Sequence, residues 1–177
     1  MKKAMLLIFV FVFIFASMSS AEIKLGIGTP FIVLTTPNTS SLVYGYDQPT
    51  FVISFDDTVD LVLGYRQTGQ GKDEDPQTDT LGGIVWYMMK RGPIVAGPSV
   101  FFYSDGVNTG GGDKASDNTI THTIIGLSVK AAIIPGIDLR TDVVLSDSIG
   151  GKIAGFDVEG VSETFSRLQV SAVINFL

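Results

Sequence analysis

Residues Arg167 to Phe176 read RLQVSAVINF. Leu168, Val170, Ala172, Ile174 and Phe176 fall on one side of an extended chain, and Arg167, Gln169, Ser171 and Asn175 on the other. Successive side chains of a strand point to opposite faces, so this alternation predicts a strand with one apolar and one polar face. The pattern recurs upstream. Ile125, Leu127, Val129, Ala131 and Ile133 alternate with His122, Gly126, Ser128 and Lys130. Leu139, Val143 and Leu145 alternate with Asp138, Arg140 and Asp142, and Leu61, Leu63 and Tyr65 with Asp60, Gly64 and Arg66.

Clusters of Gly, Asn, Asp and Pro divide the chain into eight expected strands: 23–34, 43–56, 60–67, 81–90, 95–104, 119–134, 138–146 and 162–176. The links 57–59, 91–94 and 135–137 are short, whereas 35–42, 68–80, 105–118 and 147–161 are long, polar and rich in Gly and Asp. Long and short links alternate strictly. Eight antiparallel strands then place every long loop at one end and every tight turn at the other, as in an up-and-down transmembrane β-barrel.

The tight turns also predict register, because directly opposed residues share a face. Lys130 is expected opposite Asp142 and Ala132 opposite Arg140; Thr50 opposite Arg66 and Val52 opposite Gly64. Across the 91–94 turn, Tyr87 is expected opposite Pro98, Val85 opposite Val100 and Trp86 opposite Ser99. In this hairpin, IVWYMMKRGPIVAGPSVFFY (Ile84–Tyr103), both faces are apolar. Val85, Tyr87, Met89, Val100 and Phe102 are read as facing lipid, with Trp86, Met88, Phe101 and Tyr103 in the lumen beside Phe165.

Alternation does not say which face points outward. A soluble barrel shows its polar face to water; a membrane barrel inverts this. Charged residues make up 17% of the chain, against about 25–35% on a soluble surface. Acidic residues concentrate in the expected loops: Asp73, Glu74, Asp75, Asp79, Asp105, Asp113, Asp117, Asp157 and Glu159. Lys130, Arg140, Asp142, Glu163, Arg167 and Arg66 lie on polar faces with mixed signs, as a neutralised lumen network requires. Tyr65, Tyr87, Phe102 and Phe176 fall near strand ends, where a lipid-facing aromatic girdle belongs.

Lys2 and Lys3, the apolar run Ala4–Ala16 and the small residues Ser19 and Ala21 read as a signal peptide cleaved before Glu22. Removing Lys2 and Lys3 from 12 basic residues leaves 10 against 18 acidic, a formal charge of −8. That balance argues against a nucleic-acid partner. The chain has no cysteine, which excludes thiolate metal sites and a cysteine nucleophile.

On these features the chain resembles the small eight-stranded outer-membrane barrels of the OmpA/OmpX type. The ending VSAVINFL is similar to their assembly signal, which places Val170, Ala172, Ile174 and Phe176 in contact with the assembly machinery; Leu177 departs by following the aromatic. The resemblance implies a monomer in the bacterial outer membrane after signal-peptide cleavage, with lipid around it and loops whose partner is undefined. Pro98, and more mildly Pro30 and Pro49, conflict with a continuous ladder, so a bulge or an unpaired stretch is expected at Pro98. An exported two-sheet sandwich, with those prolines at its edges, is a minor alternative.

No catalytic, cofactor or metal site is expected. His122, the only histidine, sits near Glu163 in expected height, which suggests an outer-membrane lipid-modifying enzyme as an alternative. Its context HTIIGLS does not match the His-x-Ser motif of lipid A deacylase barrels. A soluble lipocalin-like barrel with an apolar ligand is a further alternative. KDEDPQTD (72–79) lacks the spacing of a calcium loop. TGGGDKAS (109–116) lacks that of a phosphate loop, and the NTS sequon at Asn38 has no weight for a bacterial-type export product. Eight strands enclose a lumen that side chains fill, so no pore is expected.

Overall fold

The computed structural model describes residues 22–35, 49–68, 77–106, 119–153, 156–158, 160 and 162–176, and among these every regular element is a β-strand. The strands are β1 (Ile23–Thr35), β2 (Thr50–Phe55), β3 (Val59–Thr68), β4 (Gln77–Trp86), β5 (Met89–Arg91), β6 (Ile94–Gly106), β7 (Thr119–Ile134), β8 (Ile137–Ile153), β9 (Phe156–Val158) and β10 (Ser162–Asn175). Each pairs antiparallel with its neighbour, and β10 pairs with both β8 and β1. The result is a closed eight-stranded up-and-down barrel. β5 continues the line of β4 along β6, and β9 extends the β8 hairpin above β10.

Turn chemistry explains the closed end. Asp56 and Asp57 both hold positive φ, 49° and 51°, a conformation Asp tolerates better than bulky residues. Gly92 (φ 60°) takes the first central position of a two-residue turn, and Pro135-Gly136 (Gly136 φ 81°) has the residue order of a type II turn. Two expected registers slip by two residues as a result. Lys130 opposes Arg140 rather than Asp142, and Ala132 opposes Asp138 rather than Arg140. Val52 opposes Val62 rather than Gly64, because that hairpin closes at Phe55 and Val59; Thr50 and Arg66 therefore do not pair. A slip of two leaves every side chain on its expected face.

The hairpin around Gly92 behaves differently. Met89 pairs with Ala96 and Arg91 with Ile94, in the expected frame. Higher up, Val85 pairs with Ser99 and Ile84 with Val100, one residue out of frame. Trp86, Tyr87 and Met88 therefore span the space of Gly97 and Pro98, which is a β-bulge on the strand facing the proline. The ladder lapses where Pro98 has no N–H to give, while Pro98 stays paired with Leu127 on its other side. At Pro30, the milder misfit, the ladder also shifts register, between Pro30 and Ile32.

One extra residue flips a face. Val85 and Tyr87 point into the lumen, at 0% and 6% exposure, and Trp86 and Met88 point outward, at 45% and 73%. This corrects the reading of Val85 and Tyr87 as lipid-facing and of Trp86 and Met88 as lumenal. Met89, Val100 and Phe102 lie outward and Phe101 and Tyr103 inward, as expected. Tyr65, Phe102 and Phe176 project from the exterior; Trp86 takes the outward place expected of Tyr87. On β10 and just past it, Ile174 and Phe176 are exposed and Val170 and Ala172 half-buried, while Gln169, Ser171 and Val173 are buried.

Candidate functional site in the lumen

The barrel is polar and packed inside, apolar outside. Val62, Leu81, Val85, Phe101, Ile124 and Val144 fill the mid-lumen, with Tyr87 and Tyr103 beyond them. Charged groups lie nearest the turns, beside this plug and nearest the loops.

In the layer nearest the turns, Lys130 Nζ reaches Asp60 Oδ1 at 2.9 Å and Ser54 Oγ at 2.8 Å. It also approaches Asp57 Oδ1 at 3.4 Å and sits 4.8 Å above the Tyr87 ring. Asp60 is fully buried, and its second oxygen accepts from Tyr87 Oη at 2.8 Å. Lys24 pairs with Asp57 at 3.2 Å, and Asn175 Nδ2 donates to Asp138 Oδ2 at 2.9 Å. Burial pushes the Asp57 carboxyl up, but Lys130 and Lys24 outweigh it and hold the group below its ordinary range.

Beside the plug, Arg140 Nε donates to Asp142 Oδ2 at 3.0 Å, and Ser128 Oγ to Asp142 Oδ1 at 2.5 Å. Arg167 donates to Gln169 at 3.0 Å, and Gln169 to Ser171 at 3.2 Å. Arg140, Asp142, Arg167, Gln169 and Thr50 border a cavity of about 20 Å³, the size of roughly one water. Arg140 and Asp142 thus neutralise each other as expected, whereas Lys130 finds its anions on β3 and in the β2–β3 turn.

Nearest the loops, Arg66 is ion-paired with Asp79, and Gly106 N donates to Asp79 Oδ1 at 3.3 Å. His122 Nδ1 lies 3.0 Å from Asp147 Oδ2, both groups almost fully buried, with the Tyr103 ring 5.5 Å away. Four expected loop residues are corrected here: Asp105 lies on β6 and Asp157 on β9, and Asp79 and Asp147 enter the lumen. Asp79 lies in the lumen because β4 begins at Gln77 rather than 81. Asp147 lies there because β8 runs on to Ile153. A register shift at Leu145 decides its face: Gly126 pairs with Val144 but Ile125 with Ser146. Without that bulge Asp147 would point outward. The side chains of Glu163 and Phe165, expected in the lumen, lie outside the described residues, as do Leu177 and the stretches 72–76, 109–116 and 36–48.

Residues outside the expected lumen charge network carry much of the interior: Asp60, Asp57, Tyr87, Asp79 and Asp147. Asp60 was legible as a polar-face residue of its strand; the others depended on turn and bulge positions. No group of three or more His, Asp or Glu residues able to hold a metal occurs among the described residues. Fold and interior together define a closed β-barrel with ion-paired, hydrogen-bonded layers inside it. Comparison with protein-family models, curated proteins and solved structures finds no match to this chain.

Proposed function

We propose that the chain is a bacterial outer-membrane β-barrel of the small eight-stranded kind, non-enzymatic, acting through its long acidic loops in adhesion, surface recognition or envelope integrity. One observation carries this reading: Arg140, Asp142, Arg167, Lys130 and Asp60 are buried within the barrel, while Ile27, Leu63, Phe102, Ile125, Leu127 and Ile174 stand exposed around it. Water around such an exterior would leave an apolar belt far larger than a soluble monomer shows. Hydrocarbon around it removes that cost.

Dimensions support the same reading. The outward row from Ile125 to Ile133 on β7 spans nine positions. At about 3.3 Å per residue and a tilt near 40°, it covers roughly 20 Å, close to the ~25 Å apolar band of such barrels. Tyr65 and Phe102 border this band near the loops, and Trp86 and Phe176 near the turns, in keeping with two aromatic girdles. A soluble lipocalin-like barrel would need the reverse polarity and an apolar cavity where this lumen holds a filled plug.

The His122–Asp147 pair favours a second reading, an outer-membrane lipid-modifying enzyme. A carboxylate on Nδ1 orients an imidazole as a base. Among the described residues no hydroxyl bonded to His122 supplies a nucleophile, so structural pairing is the simpler role.

The decisive experiment is refolding of the chain from Glu22 onward. The barrel reading expects folding only in detergent or lipid, with heat-modifiable migration on unboiled gels and retention in membranes after carbonate washing. A soluble, folded monomer without detergent overturns it.

A further inference from the structure

β5 exposes all three of its residues. The bulge at Trp86–Met88 releases the chain from the inside–outside alternation, and from Met88 to Ile94 every residue is exposed. The projecting tip is apolar and cationic at once. Met88, Met89 and Ile94 are 73%, 66% and 46% exposed, with Trp86 beside them, and Lys90 and Arg91 stand between. Pro93 O accepts from Ala132 N at 3.0 Å, which fastens the tip to β7.

Cations are rare on this exterior. Among the described residues the exposed ones are Lys90, Arg91 and Lys152. Lys152 belongs to the loop end and has Asp157 at 3.6 Å. Lys90 and Arg91 are therefore the exposed basic pair at the turn end, on a chain whose overall charge is acidic. Exposed acids at that end, Glu22 and Asp56, lie at the start of β1 and in the β2–β3 turn, where the Glu22 amide holds Asp56 at 2.6 Å.

We propose that the β5–β6 tip is a docking surface for anionic phospholipid: Lys90 and Arg91 bind headgroup phosphate while Trp86, Met88 and Met89 enter the boundary of the acyl layer. The inference rests on the membrane reading above and adds a lipid class and a place to it. Charge complementarity selects the occupant. A guanidinium matches phosphate geometry with two parallel hydrogen bonds, and a Lys stem lies along apolar surface while its ammonium stays at the headgroups. Unbranched methionines adapt to a fluid boundary better than rigid side chains do. Each cation near an anionic leaflet contributes about a fivefold local preference.

Trp86 is the only tryptophan, and it reports on this tip without labelling. The chain from Glu22 is refolded into phosphatidylcholine vesicles containing phosphatidylglycerol, with bromine on the acyl chains of one lipid or the other at equal mole fraction. Brominated phosphatidylglycerol is expected to quench Trp86 severalfold more than brominated phosphatidylcholine. The double variant Lys90→Gln, Arg91→Gln is expected to remove the difference. Insertion is scored separately by heat-modifiable migration. Failure to insert defeats the membrane reading itself. Insertion with equal quenching, or with a preference that survives the double variant, overturns the docking proposal alone.

Discussion

Lys130 Nζ on β7 lies 2.9 Å from Asp60 Oδ1 on β3, across the width of the barrel. The backbone gives Lys130 a poor neighbour, since its directly opposed residue on β8 is another cation, Arg140. The two side chains part: Arg140 turns to Asp142, two residues along its own strand, and Lys130 crosses the lumen. A buried carboxylate stripped of its cation is far more costly than an intact pair is stabilising. Lys130→Met is therefore expected to lower the stability of the refolded barrel by about 3 kcal/mol. Adding Asp60→Asn to that variant should restore much of the loss. Urea titration in detergent micelles, with a double-mutant cycle, measures both; an additive pair of losses would show that the two groups are uncoupled.

Asp57 carries the pH dependence of the turn end. Its folded carboxyl lies below the ordinary range, despite burial, through Lys130 and Lys24. A depressed acid stabilises the fold above its unfolded pKa and loses that contribution as pH falls through its folded pKa. Urea midpoints should thus fall as pH drops below about 4. Asp57→Asn should remove the Asp57 share of that slope while lowering stability at neutral pH.

Gly97 is fixed by the bulge. A Cβ there would lie 1.6 Å from the Trp86 carbonyl oxygen, a backbone atom that no side-chain rotation relieves. Gly97→Ala is expected to cost about 3 kcal/mol or to abolish the folded, heat-modifiable band. Gly82→Ala is the control, because a Cβ at Gly82 meets nothing within 4 Å. Equal gel behaviour of the two variants would contradict the bulge.

His122→Ala separates the two readings of the histidine. Removing the imidazole leaves Asp147 buried without its partner, for a loss of about 2 kcal/mol. Lipid A acylation in a host expressing the variant should match the wild type. Altered acylation at unchanged barrel abundance would instead assign His122 to catalysis.

Much of this fold is written in period 2. The strands from Thr119 onward alternate so cleanly that a two-residue slip in the Lys130 hairpin left each face where the pattern put it. The hairpin from Ile84 to Tyr103 is harder, because apolar residues on both sides give alternation no phase, and a single added residue opposite Pro98 reverses Val85 and Tyr87. Proline marked the position of that irregularity but not the strand that absorbs it. At Leu145 no local signal exists at all: the apolar row Leu139, Val143, Leu145 looks uninterrupted, yet the bulge there is what carries Asp147 to His122. Polar loops likewise concealed where strands continue, since Gln77–Thr80 and Asp147–Ile153 read as surface until paired with their neighbours. The interior charges were recognisable as residue types on polar faces; their partners were not, because Lys130 and Asp60 meet through space set by the curvature of the whole wall.

The seam between β1 and β10 joins Gly26 to Asn175, so one edge of the first strand pairs at once with β2 while the other waits for the last strand. Ribosomal synthesis delivers these ends far apart in time, and a closed cylinder is unattainable until the final strand has emerged. Until then the wall has an open edge. The topology acts as a timer that postpones closure until the whole run of strands is available.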